Sequence, residues 1–325
     1  MPTIPEISRR TFLHAAAGGA LLASAGAARA VTAPAADAKR RFTLNLNVGN
    51  IGVKADPFEA IKLARQYGYE SVSPDLGSVS RFSEEETKRL LASLKEAGLK
   101  WGSAGISPFF GPDDTKFEVQ TKELAATAAL LQKLGANRCM TWVMSSSGAL
   151  TYQENWRLHV RRVRAVAKVL ADRGVRLGLE YIGTRTVSWK GKFPFVRTLA
   201  EMRELIAEIK LPNVGMVLDT WHWWQAGDTG EDILKLVPQD VVSVDLCDAP
   251  ADAAREQLPD SPRCLPCSTG VIDMRSFLGA LVKIGYDGPA GAEPFDRSLS
   301  QMPTDQAMTK ATAAVKKALA LVESP

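Results

Sequence analysis

The sequence predicts a single-domain α/β protein, a (β/α)8 TIM barrel, and three observations lead to that fold class. Apolar runs alternate eight times with longer amphipathic segments over residues 42–325, as parallel strands covered on both faces alternate with helices. Eight such units in about 290 residues suit a closed barrel. The glycine-rich phosphate loop that often opens a doubly wound sheet does not occur in the sequence.

The elements follow from the hydrophobic pattern and its boundary signals. The apolar runs predict strands at residues 41–49, 69–75, 100–107, 137–144, 176–183, 214–221, 241–248 and 288–295. The amphipathic segments predict helices at residues 56–68, 83–98, 115–134, 151–173, 197–210, 229–237, 272–285 and 304–323. Ser83 and Gly98 bracket one of these helices, and Asp273 and Gly285 bracket another, as N-terminal caps and C-terminal glycines do.

The first thirty residues predict an export signal outside the barrel. Arg9 and Arg10 precede a modest apolar run rich in alanine and glycine, and residues 28–30 form a small-x-small cleavage site. Paired arginines are typical of the twin-arginine route, and the apolar run is too short to span a bilayer comfortably. We therefore expect a signal peptide at residues 1–30, a flexible lead-in at residues 31–41, and a periplasmic protein with no membrane attachment after cleavage.

The charge argues against nucleic acid as a partner. The whole chain carries a net charge of +4, and removing the three arginines and one glutamate of the signal leaves +2. A nearly neutral domain lacks the basic surface that a phosphate backbone requires. The sequence leaves the oligomeric state open, and a homo-oligomer is one expectation.

Four cysteines leave two alternatives open. In an exported protein, Cys264 could pair with Cys267, or one of them with Cys247. Alternatively all four, including Cys139, are reduced and act as small apolar side chains.

Acidic residues fall at the ends of four consecutive predicted strands. Glu180 ends the fifth strand, Asp219 the sixth, Asp245 or Asp248 the seventh, and Glu293 the eighth. Functional groups of such barrels gather at the carboxyl ends of the strands. Acids that are buried together raise one another's pKa unless a cation lies among them, so a divalent metal is expected here. A donor set made mostly of oxygen favours Mn²⁺ or Mg²⁺.

The sequence also resembles a known group over nearly all of residues 42–323. The motifs "LEYIG", "LDTWH", "VDLCDAP", "SPRCLPCSTGVIDM" and "AEPF" are similar to those of the sugar phosphate isomerase/epimerase group with a xylose isomerase-like barrel. The resemblance implies metal ligands at Glu180, Asp219, Asp245 and Glu293. Asp245 stands where the group usually has histidine, so the site could survive with carboxylates alone, be weakened, or be lost.

The resemblance also implies residues that contact the substrate. His222, three residues after Asp219, would contact a substrate oxygen, although an imidazole packed among tryptophans is the alternative. Arg263 matches the group's loop before the last helices and would also bind substrate. Tryptophans at or just after strand ends could stack on a sugar ring, and they are Trp142, Trp189 and Trp221. The basic loop that contains Trp189 would close over the substrate as a lid.

These features predict a metal-dependent isomerase or epimerase acting on a sugar or keto-sugar. Glu180 and Glu293 would move a proton through an enediolate intermediate. A sugar dehydratase or 3-keto-glycoside lyase could use the same site. A metal-free glycoside hydrolase with two carboxylates and a sugar-binding barrel without catalysis are further alternatives.

Overall fold

The barrel strands lie where the sequence predicts them. The computed structural model describes residues 39–108, 110–251 and 254–323, so the predicted signal peptide lies outside the described residues, as does most of the predicted lead-in. Each of the eight predicted strands is confirmed, with the third divided in two. The strands are β1 (Thr43–Leu46), β2 (Ser71–Val72), β3 (Lys100–Trp101), β4 (Ala104–Gly105), β5 (Arg138–Val143), β6 (Ser146–Ser147), β7 (Arg176–Tyr181), β8 (Phe193–Pro194), β9 (Val214–Asp219), β10 (Val241–Leu246) and β11 (Pro289–Ala292).

Helices follow the barrel strands, and their start signals act as the sequence predicts. Ser83 accepts the backbone N–H of Glu86 in a capping box, and Asp273 accepts that of Ser276. Within the described residues, no helix is long and apolar enough to cross a membrane. The helices are α1 (Pro57–Tyr67), α2 (Leu76–Val79), α3 (Glu84–Glu96), α4 (Asp114–Leu134), α5 (Tyr152–Ala171), α6 (Arg185–Ser188), α7 (Leu199–Ile209), α8 (Thr220–Ala226), α9 (Gly230–Ile233), α10 (Met274–Lys283), α11 (Arg297–Ser300) and α12 (Thr304–Glu323).

The third barrel strand closes the sheet. The strand order is β3-β2-β1-β11-β10-β9-β7-β5-β4, and its two ends, β3 and β4, are consecutive pieces of one run. β3 pairs with β2 and β4 pairs with β5, so the ring is complete. The interruption falls at Gly102, where a Cβ atom would lie 2.2 Å from Oδ1 of Asn45. Only glycine fits that close approach.

Two predicted elements have different limits in the structure. The sixth predicted strand ends at Asp219 rather than Trp221, because Asp219 caps helix α8 and accepts the backbone N–H of Trp221 at 2.7 Å. The predicted helix at residues 229–237 is only the short helix α9, followed by a 3₁₀ turn at Pro238–Asp240. In addition, β6 and β8 form a small antiparallel pair in a region predicted as loop.

The register of the sheet determines which residues face the barrel axis. Residues paired across parallel strands point to the same face, and every second residue of a strand does so. Trp142 pairs with Glu180, and Glu180 pairs with Val217, two residues before Asp219. Asp219 pairs with Asp245. One inward row of side chains therefore contains Trp142 and three of the predicted acids.

The cysteines are free thiols in this structure. Cys139 and Cys247 are buried, and Cys264 and Cys267 are partly buried without a disulfide between them. Burial raises the pKa of the Cys139 thiol to about 12. Of the two alternatives that the sequence left open, the structure contains the reduced one.

Candidate active site

Four acids converge at the carboxyl end of the barrel. Glu180 and Asp219 are the inward residues near or at the ends of β7 and β9, Asp245 lies on β10, and Glu293 directly follows β11. Glu180, Asp245 and Glu293 each offer an oxygen, and these atoms lie within 4.8 Å of one another. Glu180, Asp219 and His222 form a second group with the same spacing. Glu180 belongs to both groups and so joins them into one acidic cluster.

The acidic cluster is costly to ionise without a bound cation. Burial, followed by repulsion from Asp219 and Asp245, raises the pKa of Glu180 well above its usual value. Burial and the Asp219 charge raise the pKa of Asp245 to about 7. Burial, Asp245 and Glu180 raise the pKa of Glu293 in the same way. Such like-charge crowding in a buried place favours either bound protons or a cation.

Arg263 supplies positive charge within the cluster. Its guanidinium donates from Nη1 to Asp219 Oδ2 at 2.6 Å and to Glu293 Oε2 at 3.0 Å. The side chain is almost fully buried, and the ring of Phe295 covers its charged end at 4.4 Å. The sequence assigned Arg263 to substrate binding, whereas the structure places it against two of the predicted metal ligands.

Asp248 fixes the loop that carries Arg263. Asp248 and Cys264 exchange two backbone hydrogen bonds of 2.8 Å. The buried carboxylate of Asp248 also accepts the backbone N–H groups of Thr269, Gly270 and Ile272. The sequence left Asp248 as an alternative to Asp245 for the seventh strand, and the structure decides this point, because the carboxylate of Asp248 is used by the loop.

His222 lies beside the acids as a buried, neutral imidazole. Burial lowers its pKa to about 4, although Asp219 acts in the opposite direction. The backbone N–H of Gly183 donates to Nδ1 at 3.3 Å. Nε2 lies 3.7 Å from Asp219 Oδ2 and 3.4 Å from Nη2 of Arg263. His222 thus contacts the acidic cluster directly, in addition to packing among aromatic side chains.

Sequence reasoning missed two polar neighbours of the cluster. Oδ1 of Asp260 accepts from Thr184 at 2.8 Å and from Nη2 of Arg263 at 3.3 Å. Nδ2 of Asn50 donates to Oε1 of Glu293 at 3.2 Å. Both residues lie in loops between elements, where the sequence carries no strand-end signal. Only the position of Asn50, four residues after β1, offered a hint.

The donor set fits a divalent cation. Within the described residues, Oε1 of Glu180 is buried and has no hydrogen-bond partner, which is unusual for a polar atom in a protein interior. The carboxylate oxygens of the cluster suit a hard cation such as Mn²⁺ or Mg²⁺. Neutral His222, whose Nδ1 accepts the N–H of Gly183, carries its proton on Nε2 and lies beside them as a hydrogen-bond donor. Asp245 occupies the position where the resemblance predicted histidine, and its carboxylate belongs to one of the two candidate ligand groups.

The three predicted sugar-stacking tryptophans differ in exposure. Trp142 is 47% exposed and lies in the inward row next to Glu180. Trp189 is 66% exposed and follows the short helix α6 in the loop that the sequence assigned as a lid. Trp221 is fully buried and donates from Nε1 to Thr184 at 3.0 Å. Stacking on a sugar is therefore wrong for Trp221, because both faces of its ring are covered by protein.

A cavity of about 710 Å³ lies at the carboxyl ends of β1 and β2. Its lining includes the polar residues Asn47, Ser73 and Ser103. Within the described residues, the hydroxyl of Ser103 is buried and has no hydrogen-bond partner. The lining also contains the charged residues Lys54, Asp56 and Asp75, and the cavity lies across the barrel from β7 and β9.

Fold and site together define a TIM barrel with a polar, acid-rich centre at the carboxyl ends of its strands. The chain belongs to the xylose isomerase-like TIM barrel family, whose pattern matches residues 61–322. A 3-dehydroshikimate dehydratase of Pseudomonas putida is 27% identical over 179 residues, which are 54% of this chain and 26% of that protein. An inosose isomerase of Bacillus subtilis is 27% identical over 138 residues, 42% of this chain and 46% of that protein. The chain thus spans between a quarter and a half of the length of these curated relatives.

Solved structures share the fold over most of the chain. A xylose isomerase domain protein of Alicyclobacillus acidocaldarius is 26% identical with a TM-score of 0.74, covering 86% of this chain and 98% of that one. The IolI protein, solved with a bound zinc atom, also has a TM-score of 0.74, covering 87% of this chain and all of that one. Its identity is 18%, so this second likeness concerns the fold alone.

Proposed function

We propose that the protein is a divalent-metal-dependent isomerase or epimerase that transfers a proton on a sugar or keto-sugar. The observation that carries this proposal is the buried acidic cluster, in which Glu180 lies within ligand distance of Asp219 in one group and of Asp245 and Glu293 in another, and has one oxygen without a hydrogen-bond partner among the described residues. Burying such a cluster lowers the stability of the fold. Clusters of this kind are typical of functional sites, where the charges act on a ligand.

The similar proteins support this class of activity. The curated relatives are named inosose isomerase and 3-dehydroshikimate dehydratase, and a neighbour in fold binds zinc. The metal of this chain is proposed to be Mn²⁺ or Mg²⁺ because carboxylates dominate the donor set.

Glu180 and Glu293 are the proposed acid and base. Burial raises the pKa of both groups, and of two carboxyl groups at one site, one can accept a proton from the substrate while the other donates one. The ion, held by Glu180, Asp219, Asp245 and Glu293, would polarise the substrate's carbonyl and hydroxyl oxygens and so acidify the C–H bond between them. Neutral His222 can donate a hydrogen bond to the substrate's oxygen.

Arg263 positions two members of the cluster. Its Nη1 donates to both Asp219 and Glu293, so the guanidinium bridges the two carboxylates and offsets their charge. Phe295 and the loop around Arg263 keep water from its guanidinium. We therefore assign Arg263 to the organisation of the site rather than to direct proton transfer.

A dehydratase is the second candidate. Proton removal at the same carbon, followed by loss of a neighbouring hydroxyl as water, gives elimination instead of isomerisation. This candidate is supported by the similarity to the 3-dehydroshikimate dehydratase of Pseudomonas putida, which covers 54% of this chain.

Metal analysis and hydrogen exchange test the proposal. The protein purified without chelator should contain close to one equivalent of a divalent metal. In D2O it should exchange a C–H proton of at least one keto-sugar, and exchange should stop after chelation and return with Mn²⁺ or Mg²⁺. Loss of a hydroxyl during exchange would identify the dehydratase. Chelator-resistant cleavage of a glycoside by water would overturn the proposal in favour of a metal-free hydrolase, and absence of exchange with every sugar and metal would favour a binding protein.

We also propose that residues 1–30 direct export by the twin-arginine route. A fusion of residues 1–41 to a reporter that is active only after folded export would test this. Replacing Arg9 and Arg10 together with lysine should abolish export, and unchanged export would contradict the proposal.

A further inference from the structure

A second cavity lies beside the acidic cluster on the neutral side of the barrel mouth. Its volume is about 500 Å³, and Trp142 and Met144 form part of its wall. Trp142 pairs with Glu180 across adjacent strands, so the cavity begins about one strand spacing, roughly 5 Å, from the backbone of a proposed catalytic residue. Trp142 and Met144 are 47% and 48% exposed, which leaves a large apolar surface open at this place.

The walls of this cavity are fixed by the fold. Ser146 and Ser147 pair with Pro194 and Phe193 in the small antiparallel sheet. The hydroxyl of Ser147 also accepts the backbone N–H groups of Ala149 and Leu150. These contacts hold the loop after β5 in one conformation. Binding of a ligand would therefore not cost the free energy of ordering this loop.

The back of the cavity is aromatic and offers hydrogen-bond acceptors. His159 lies between Phe110 and Phe195, with ring centroids 5.6 and 4.8 Å away. Its Nδ1 is 2.9 Å from the carbonyl oxygen of Asn155, which can only accept, so Nδ1 carries the proton and Nε2 is left as an acceptor. Gln120 also lines the cavity, and its Oε1 is buried without a hydrogen-bond partner among the described residues.

We propose that this cavity binds a second ring of the substrate, one that carries hydroxyl groups. An aromatic and apolar wall matches the flat face of a ring, and the acceptors Gln120 Oε1 and His159 Nε2 match its hydroxyl donors. The volume lies in the ordinary range of small-molecule sites, about 300–1,000 Å³. The substrate is then a glycoside whose first sugar carries the carbonyl group and lies at the acidic cluster, and whose second ring lies beyond Trp142. This inference rests on the proposed function for the location of the first sugar.

Direct binding tests the inference without requiring turnover. Calorimetric titration would compare three β-glycosides of glucose, galactose and mannose: the methyl glycoside, the 4-hydroxyphenyl glycoside and the disaccharide with glucose as the second ring. For at least one sugar, a glycoside with a hydroxylated ring should bind at least tenfold more tightly than the methyl glycoside. The two ringed ligands distinguish a phenolic second ring from a sugar. Equal affinity of all three glycosides, or no binding of any ringed glycoside, would overturn the inference.

Two variants locate the binding to this cavity. Gln120→Leu removes the acceptor at similar size and should abolish most of the preference for the hydroxylated ring. Gly148 lines the cavity, and a Cβ there meets nothing within 4 Å, so Gly148→Phe should reduce every affinity to that of the methyl glycoside. Gly279→Phe on α10, where a Cβ is equally unobstructed, is the matched control and should leave the preference unchanged. An undiminished preference in both cavity variants would contradict this location.

The binding result and the proposed function can fail separately. Preferential binding of ringed glycosides without metal-dependent C–H exchange would overturn the proposed function and leave the cavity assignment intact. Exchange on free keto-sugars with no ring preference would overturn the cavity assignment alone.

Discussion

The two halves of the barrel mouth differ in chemistry, and three strands of one half are short. β7, β9 and β10 are six residues long, and with β11 they present the acids, so they form the acidic half. β2, β3 and β4 have two residues each, and with β1 and β5 they form the neutral half, whose inward side chains include Asn45, Ser71 and Trp142. The neutral half borders the two cavities described above.

Under the proposed function, this difference assigns catalysis to one half of the barrel mouth and recognition to the other. Long paired strands extend to the residues that carry the acids, and this fixes carboxylate positions within the few tenths of an ångström that chemistry requires. The second cavity follows β5, which is as long as β7, β9 and β10, so the loops after the strands form the cavities whatever the strand length. We therefore expect substitutions in the acidic half to alter turnover and stability, and substitutions in the neutral half to alter affinity.

The largest expected effect comes from the acids themselves. Glu180→Gln and Glu293→Gln should each reduce C–H exchange by about 10²–10⁴-fold, because each removes a proposed acid or base. Exchange rates with saturating metal would measure this, and Glu231→Gln on the exposed α9 helix is the matched control. Metal-free Glu180→Gln should be no less stable than the parent protein, since the pKa of Glu180 is already raised. A variant that retained more than a tenth of the activity would remove that glutamate from the proposed mechanism.

Arg263→Met should cause the next largest change, in stability. Removing one partner of a buried ion pair leaves uncompensated charge and typically costs about 3–5 kcal/mol. Denaturation in the presence of chelator would measure the fall in unfolding free energy. Arg263→Lys keeps the charge without the forked geometry and should lie between the two. Equal stability of the methionine variant would contradict a stabilising role for Arg263 in the cluster.

Gly183 and Gly105 differ in how closely other atoms approach the position of a Cβ. A Cβ at Gly183, after β7, would lie 2.1 Å from the carbonyl oxygen of His222, whereas a Cβ at Gly105 in β4 meets nothing within 4 Å. Gly183→Ala should therefore lower the unfolding free energy by about 3 kcal/mol or more. Gly105→Ala should change it by less than about 0.5 kcal/mol. Similar values for both variants would contradict the close backbone contact between Gly183 and His222.

The buried histidine of the neutral half should make stability depend on pH. Burial lowers the pKa of His159 from 6.5 to about 4, so the folded protein keeps it neutral while the unfolded chain takes up a proton below pH 6.5. Stability that is complete above pH 6.5 should decline by about 3 kcal/mol as the pH falls to 4. Unfolding free energies of the parent and His159→Gln across this range would measure it. His222 titrates in the same direction, so the variant should reduce the slope without abolishing it, and an unchanged slope would contradict the assignment.

The smallest expected effects are changes in kcat/KM on replacing the two exposed tryptophans, Trp142 and Trp189. Trp142→Ala should lower kcat/KM about fivefold, since loss of one aromatic contact is worth about 1 kcal/mol. Trp189→Ala should change kcat/KM by less than about twofold if its loop does not close over the substrate. The reverse order would restore Trp189 as the lid residue that the sequence predicted.

Much of the fold was accessible from the sequence because it depends on local pattern. The limits of α3 were predicted from Ser83 and its following glutamates, since a capping box acts within one turn. Those of α8 were not, because the strand-like run "VGMVLDTW" hides a helix cap at Asp219. The division of the third strand was also missed, since it depends on contact between Gly102 and Asn45, which are far apart in sequence.

The sequence by itself determined that acids end consecutive strands, and the barrel made them neighbours because parallel strands end at the same rim. Only the tertiary structure decided which charges and rings join them. Arg263 reaches Asp219 from 44 residues away, and Trp221, next to Asp219 in sequence, turns into the core. Both outcomes depend on packing between segments that are distant in the sequence. Such packing cannot be predicted from hydrophobic periodicity or from the spacing of nearby residues.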